Sequence, residues 1–286
     1  MSMIREIKLQ SYLMMYKKSF KIAFICNILF NIVSYLYQVY RAIGKYDIEV
    51  TSASFACSIS EGNPFWTYYQ ILFPFIVVIP FAFSYFEDKT LNLTYYIETR
   101  VKKKNYLIAK VATSFIGSFI VVIIPFLINI LLNEITFPHN GNFFGSNIHS
   151  IEITKDLVGE NVITTTIQKG LIGLRLFLMY PQLYNVILIF LLAIIAGIMG
   201  AFCFCWSYFV EKHKILLFLP VYIFCYLGNI FTRMSEEFGI TINFTLLDYA
   251  YLNTNMGKSV IILLLELIIM IVFISITTNH EIKQKR

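Results

Sequence analysis

Charged residues are scarce in this sequence. They make up 14% of its 286 residues, whereas hydrophobic residues make up 58% and the mean hydropathy is +0.69. A soluble domain is typically about a quarter charged and about half apolar. A core of this size cannot hide so much apolar surface from water, so the composition excludes an ordinary soluble protein and indicates lipid as a second solvent. The 27 Phe and 19 Tyr residues fit a membrane protein, because aromatic rings are enriched at the headgroup level.

Cysteine is also sparse, and its placement argues against disulfide or metal chemistry. Cys26, Cys203, Cys205 and Cys225 fall in apolar runs, and Cys57 stands alone in a polar segment. Cys203 and Cys205 are two residues apart, so on a helix they point to roughly opposite faces and cannot hold one metal ion. We therefore predict neither a disulfide framework nor a zinc site.

Signatures of nucleotide binding and catalysis are missing as well. The sequence has no G-x-x-x-x-G-K-[ST] loop, so the chain is not expected to bind ATP by itself. Its four histidines lie in predicted loops or in the tail, and none forms a helical E-x-x-H pair. We predict no catalytic residue, no metal ligand and no cofactor in this chain.

Long apolar runs dominate the rest of the sequence. A helix needs about 20 apolar residues to cross the hydrocarbon core of a bilayer. The first run is too long for a cleavable signal peptide, so we expect it to remain as a span. The predicted fold is an all-α integral membrane protein with six transmembrane helices. The six runs are Phe20–Tyr40, Trp66–Phe86, Leu107–Leu132, Tyr184–Val210, Ile215–Phe231 and Val260–Thr277.

The Lys and Arg residues between these runs predict the orientation. With the N-terminus inside, 16 of the 23 basic residues fall in inner segments. The positive-inside rule therefore predicts a multi-pass protein of the plasma membrane with both termini in the cytoplasm. The transmembrane domain then spans residues 20–286, and its segment 133–183 lies outside the cell. Such a long connection suggests a small structured extracellular feature.

The N-terminal segment, residues 1–19, has an amphipathic pattern. Ile4 and Ile7 alternate with Arg5 and Lys8 at roughly helical spacing. This pattern predicts a helix on the inner leaflet, where basic side chains face anionic lipid. The alternative is a frayed, charged terminus.

Two features stand out within the predicted spans. Ala193, Gly197 and Ala201 recur every fourth residue, a spacing that lets two helices approach closely, within one subunit or between two. Glu266 is the one clearly intramembrane acidic residue of the sequence. It is either a pathway or proton-coupling contact, or a structural residue that is protonated or hydrogen-bonded.

The inner connection between the second and third runs has the most distinctive pattern. An acidic pair is followed by Thr-Leu, then by a basic cluster, a tyrosine and a lysine that opens the next span. The residues are Glu87, Asp88, Thr90, Leu91, Arg100, Tyr106 and Lys110. This pattern predicts a short helix at the inner surface with charges available to a cytoplasmic partner. Lysines attracted to anionic lipid would explain the basic cluster equally well.

This pattern and the six runs resemble the permease subunits of type-2 ABC exporters, the ABC-2 family. Many members have Gly before the Thr, where this chain has Lys89. The resemblance implies that the connection is a coupling helix, and that Glu87, Asp88, Thr90, Leu91, Arg100 and Tyr106 serve the contact with an ATPase. It also implies two permease chains, identical or paralogous, and two ATP-binding subunits that hold ATP and magnesium. The expected partners include membrane lipid but no nucleic acid.

The resemblance further implies export from the cell. The aromatic content favours a hydrophobic or amphipathic substrate such as a peptide, drug or lipid. Two other functions are compatible with the sequence. A non-transporting sensor or immunity protein would capture an extracellular peptide through 133–183, and an ion-coupled secondary transporter would use Glu266. The abundance of Ile, Lys, Asn, Phe and Tyr is typical of a low-GC bacterium.

Overall fold

The structure is a computed structural model that describes most of the chain. The described residues are 3–45, 50–59, 63–91, 96–97, 99, 101–139, 180–210, 213–238, 246–247 and 256–283. Arg100 and most of the predicted extracellular segment, residues 140–179, lie outside them. Within the described ranges the regular structure is helical and no strand is assigned.

Ten α-helices follow one another along the described parts of the chain. A 3₁₀ turn, Lys214–Leu217, precedes the eighth helix, and a π-helical segment, Ile223–Leu227, follows it. The α-helices are α1 Met3–Tyr16, α2 Lys18–Ala42, α3 Ala53–Ala56, α4 Phe65–Val78, α5 Ser84–Thr90, α6 Lys103–Thr136, α7 Pro181–Trp206, α8 Leu219–Tyr222, α9 Gly228–Glu237 and α10 Met256–Lys283.

Four of these helices are long and apolar enough to cross a membrane: α2, α6, α7 and residues Ile261–Lys283 of α10. They correspond to the first, third, fourth and sixth predicted runs, although α7 ends at Trp206, four residues before the predicted end of the fourth run. The structure thus supports a membrane protein. The helix α6 begins at Lys103 and ends at Thr136, a few residues beyond each end of its predicted run. Six spans remain a prediction, because the second and fifth runs form shorter helices.

The second run is interrupted near its predicted inner end. The helix α4 covers 14 residues and ends at Val78, and a turn over residues 79–83 separates it from α5. Pro80 lies in this turn. Proline lacks the backbone N–H that the helical ladder needs and clashes with the preceding turn, so an interruption here is physically expected. At 1.5 Å per residue α4 is about 21 Å long, less than the hydrocarbon core of about 30 Å.

The fifth run is helical but irregular. Pro220 occupies the first turn of α8, where its missing N–H does no harm. The π-helical segment then follows without a gap and leads into α9. A π segment inside a helix is rare and is often associated with a functional site. The sequence predicted the run but not this change of helical winding.

The centre of the fold is the contact between α6 and α7. Ser114 Oγ donates a hydrogen bond of 2.9 Å to the carbonyl of Gly200, which requires the two backbones to lie close together. Gly197 packs against the ring of Phe115, and Ala193 and Ala201 are buried. The described contacts of this small-residue face are thus with another helix of the same chain.

The helix α2 has its polar side turned inward. Its buried face contains Asn27, Asn31, Ser34 and Gln38. Its exposed face is apolar. Large exposed residues on this helix are Ile22, Ile25, Leu29, Val33 and Leu36. In water this arrangement would be costly, whereas in lipid the apolar side chains are well solvated and the polar ones pack against other helices.

The N-terminal helix ends earlier than predicted. The helix α1 stops at Tyr16, and Lys17 adopts an extended backbone that separates it from α2. Glu6, Gln10 and Met14 form its buried face, and Met14 packs against Gly117 of α6. The polar buried face and the exposed Ile4 and Met15 repeat the pattern of α2.

Candidate functional site

The structure gathers charged residues from distant segments at one end of the helices, which we call the charged end. It is formed by the junction of α1 and α2, by α5, by the start of α6 and by the end of α10. The predicted coupling residues Glu87, Asp88, Thr90 and Tyr106 all belong to it. The site is therefore built around the connection that the sequence singled out.

An ion pair between Asp88 and Lys110 lies at its base. Lys110 is only 2% exposed, and its ammonium group donates hydrogen bonds to the Asp88 carboxylate and, at 3.2 Å, to the carbonyl of Ser84. The Tyr106 hydroxyl donates to the same Asp88 oxygen. A buried charge needs such compensation, because leaving it unpaired costs several kcal/mol. This cluster therefore fastens α5 to α6.

A second ion pair joins α5 to the junction between α1 and α2. Lys17 Nζ donates to Glu87 Oε2 at 2.8 Å, and both side chains are about one-third exposed. Lys17 also lies 5.4 Å from the centroid of the Phe81 ring, within the range of a cation–π contact. Because water screens this pair, it contributes less to stability than the buried pair does.

Glu281 brings α10 into the same cluster. Its carboxylate accepts a hydrogen bond of 2.9 Å from the Tyr85 hydroxyl of α5. Lys103, the first residue of α6, donates to its backbone carbonyl and lies 3.4 Å from its carboxylate. The sequence analysis did not identify Glu281, although its position among the C-terminal charges marks it as a residue at the inner surface.

The predicted coupling segment has an exposed part and a part that is engaged within the chain. Lys89, Thr90 and Leu91 are exposed, and the Leu91 side chain keeps 66% of its surface. Asp88 and Tyr106, by contrast, make contacts within the chain. The Asp88 carboxylate accepts from both the Tyr106 hydroxyl and the Lys110 ammonium group, so its charge is used to position α5.

A network of buried amides connects α2 and α6 farther from the charged end. Asn129 donates a hydrogen bond of 3.0 Å to the Asn31 carbonyl, and its own amide oxygen accepts from the Ser58 N–H at 2.8 Å. Asn27 donates to the Val121 carbonyl at 2.7 Å. The sequence analysis missed this network. Its signal is the recurrence of Asn on one face of α2, since polar side chains inside a span must find partners.

Glu266 lies on α10 beside the π-helical segment, near Cys225. Its Oε2 is buried and has no hydrogen-bond partner among the described residues. A carboxyl group in this position is costly unless it is protonated or meets a ligand. Glu266 thus forms a second candidate site, separate from the charged end.

The thiol groups do not form a third site. Cys57 is fully buried, and burial, followed by the nearby Glu134, raises the pKa of its thiol to about 12. Its reactive thiolate form is therefore rare at neutral pH. No group of three or more His, Cys, Asp or Glu side chains that could hold a metal ion occurs in the described ranges.

The charged end connects several helices through pairs of charged side chains. Three ion pairs connect the junction of α1 and α2, α5, α6 and α10. The surface from Lys89 to Leu91 stays exposed. No protein-family model, no curated protein and no solved structure matches the chain.

Proposed function

We propose that this chain is the membrane permease subunit of an ATP-driven exporter of the ABC-2 type. The observation that carries the proposal is the attachment of α5 to the long helices. Its outer surface, Lys89 to Leu91, is exposed, while Asp88 and Glu87 fix its inner side to α6 and to the junction of α1 and α2. A partner that pushed on this surface would move several helices together.

In this mechanism the charged end faces the cytoplasm of the cell that carries the protein in its plasma membrane. Two separate ATP-binding subunits bind ATP and magnesium, and each contacts α5 of one of two permease chains. Their closure on ATP shifts α5, and the ion pairs at Asp88 and Glu87 transmit the shift to α6 and α2. The substrate in this proposal is hydrophobic or amphipathic, such as a peptide, drug or lipid, in keeping with the aromatic content of the chain.

Leu91 is the residue of choice for testing the ATPase contact. An exposed apolar side chain beside charged groups is a typical anchor in a protein interface. We expect Leu91→Asp to abolish copurification of an ATP-binding subunit when the tagged chain is solubilised from its native membrane in mild detergent. The amount of permease recovered should stay unchanged, because Leu91 contributes little to the core.

The matched control for this experiment is Ile43→Asp. Ile43 is 72% exposed and lies just after α2, at the end opposite to Lys17. This variant introduces the same charge on a surface that the proposed ATPase does not reach, so copurification should persist. Equal recovery of the ATPase with Leu91→Asp and Ile43→Asp, or the absence of any ATPase with the unmodified chain, would refute the proposal.

Glu266 supports a second candidate function, an ion-coupled secondary transporter. The supporting observation is the buried, unpartnered Oε2 beside a π-helical segment. In that case Glu266→Gln, which preserves shape but cannot ionise, should abolish the pH dependence of transport and reduce its rate by at least about tenfold. Transport in vesicles with an imposed pH gradient measures both quantities. An unchanged rate and pH profile would eliminate this candidate.

A further inference from the structure

A cavity of about 440 Å³ lies between α1 and the connection that follows α5. Its volume is within the usual range for sites that take small organic molecules. Its apolar and aromatic walls come from both segments. They are formed by Leu9, Leu13, Tyr96, Ile97 and Val101.

Two polar side chains also line this cavity, Glu6 and Gln10. They are one helical turn apart on α1, so both point to the same side of the helix. Glu6 is 2% exposed, and its Oε1 has no hydrogen-bond partner among the described residues. Arg5 and Lys8, its neighbours along the chain, are exposed. Among the described residues that line the cavity, none carries a positive charge that could compensate the Glu6 carboxylate.

A buried carboxylate without a partner is unfavourable, because it has lost its hydration and gained nothing in return. A cation inside the cavity would remove this cost. Among the described lining residues, Gln10 is the one polar side chain besides Glu6, and the others offer apolar surface and the Tyr96 ring. This lining favours one kind of cation over another. An inorganic ion needs several oxygen ligands, whereas an organic cation needs one counter-charge and apolar contact.

We propose that this cavity is a binding site for a lipophilic organic cation, with Glu6 as its counter-ion. The cationic centre lies next to the Glu6 carboxylate, and the apolar groups of the ligand pack against Leu9, Leu13 and Ile97. Tyr96 adds a cation–π contact at the rim. The proposal does not depend on the function proposed above, because it concerns binding to this chain alone.

Tetraphenylphosphonium is a suitable probe, since its charge is enclosed by four phenyl groups. Its control is tetraphenylborate, which has the same shape and the opposite charge. We expect saturable binding of labelled tetraphenylphosphonium to the full chain in lipid nanodiscs, measured by equilibrium dialysis after subtraction of empty nanodiscs. Tetraphenylborate should show no saturable binding, because its charge would face the Glu6 carboxylate.

Glu6→Gln should weaken tetraphenylphosphonium binding at least about tenfold, because the variant loses the counter-charge but keeps the shape. Glu237→Gln removes an exposed acidic group of α9 and should leave the affinity unchanged. Leu13→Trp fills the cavity without changing any charge and should also abolish binding. This second variant keeps the proposal testable if Glu6→Gln folds poorly.

Three results would overturn the proposal: absence of saturable binding to the unmodified chain, equal binding of the two probes, or full affinity in folded Leu13→Trp. The first of these is expected if a basic side chain of a partner protein occupies the cavity instead. None of these measurements requires an ATPase or transport. The failure of this inference and the failure of the proposed function can therefore be distinguished.

Discussion

Lys110→Met is expected to destabilise the protein by about 3 to 5 kcal/mol, the usual cost of removing one partner from a buried ion pair. Asp88 would remain in a site where water reaches little of it and would lose its counter-charge. The Tyr106 hydroxyl would be its remaining donor in this cluster. The melting temperature in detergent should fall on the order of 10 °C.

The protein contains its own reporter for this measurement. Cys57, Cys203, Cys205 and Cys225 are free thiols buried in the fold, whereas Cys26 is exposed. In a Cys26→Ser background, a thiol-reactive fluorophore therefore reacts only when the chain opens. Glu87→Gln is the matched control, because it removes a charge from the partly exposed pair with Lys17. Exposed pairs contribute up to about 1 kcal/mol, so this variant should melt within a few degrees of the unmodified protein.

A double variant separates the loss of the pair from the loss of a side chain. In Asp88→Asn/Lys110→Met neither charge remains, and the asparagine oxygen can still accept the Tyr106 hydrogen bond. Replacing both partners of a buried pair is often nearly neutral, so most of the lost stability should return. Two results would show that the buried pair does not hold α5 against α6. They are a melting temperature of Lys110→Met equal to that of Glu87→Gln, and a double variant that is no more stable than Lys110→Met.

Gly200→Ala has the second largest expected effect, a loss of about 2 to 3 kcal/mol from overpacking. A Cβ at this position would lie 2.8 Å from Ser118 Cβ and 3.2 Å from the Ser114 carbonyl oxygen. Ser118 cannot turn away freely, because its hydroxyl donates a hydrogen bond of 2.7 Å to the Val77 carbonyl of α4. The backbones of α6 and α7 must therefore separate.

Gly197→Ala is the control for this prediction. Its Cβ would meet the edge of the Phe115 ring at 2.7 Å, and this half-buried ring can rotate aside. In the same melting assay based on thiol reactivity, Gly197→Ala should lower the melting temperature clearly less than Gly200→Ala does. In addition, Gly200→Ala should cost less in a Ser118→Gly background, because two residues in contact are energetically coupled. Equal losses in both backgrounds would contradict the close approach at Gly200.

The helical fold and the apolar spans could be predicted because they depend on local properties. A bilayer-length run of apolar residues must form a helix in lipid to satisfy its own backbone hydrogen bonds. The interruption at Pro80 also has a local cause, because proline lacks the backbone N–H that a continuous helix needs. The sequence analysis counted the second run as one continuous span, whereas the structure divides it into α4 and α5.

The candidate site was predictable only in outline. The composition of the connection placed Glu87, Asp88 and Tyr106 at the inner surface, but it suggested that their charges face a partner. In the structure Asp88 faces Lys110, 22 residues farther along the chain. The contribution of Glu281 from the far end of the sequence was not foreseen, because nothing local in the sequence connects it with Tyr85.

By itself, the sequence indicated a membrane protein and predicted its long helices. Its apolar content indicates lipid as a solvent, and a backbone in lipid satisfies its hydrogen bonds by forming helices. Only the tertiary structure decided which face of each helix is buried and which charges form pairs. The inward polar face of α2 and the contact at Gly200 illustrate the reason. Both depend on residues about a hundred positions apart that meet only when the helices pack, and the hydropathy of a single segment contains no information about that packing.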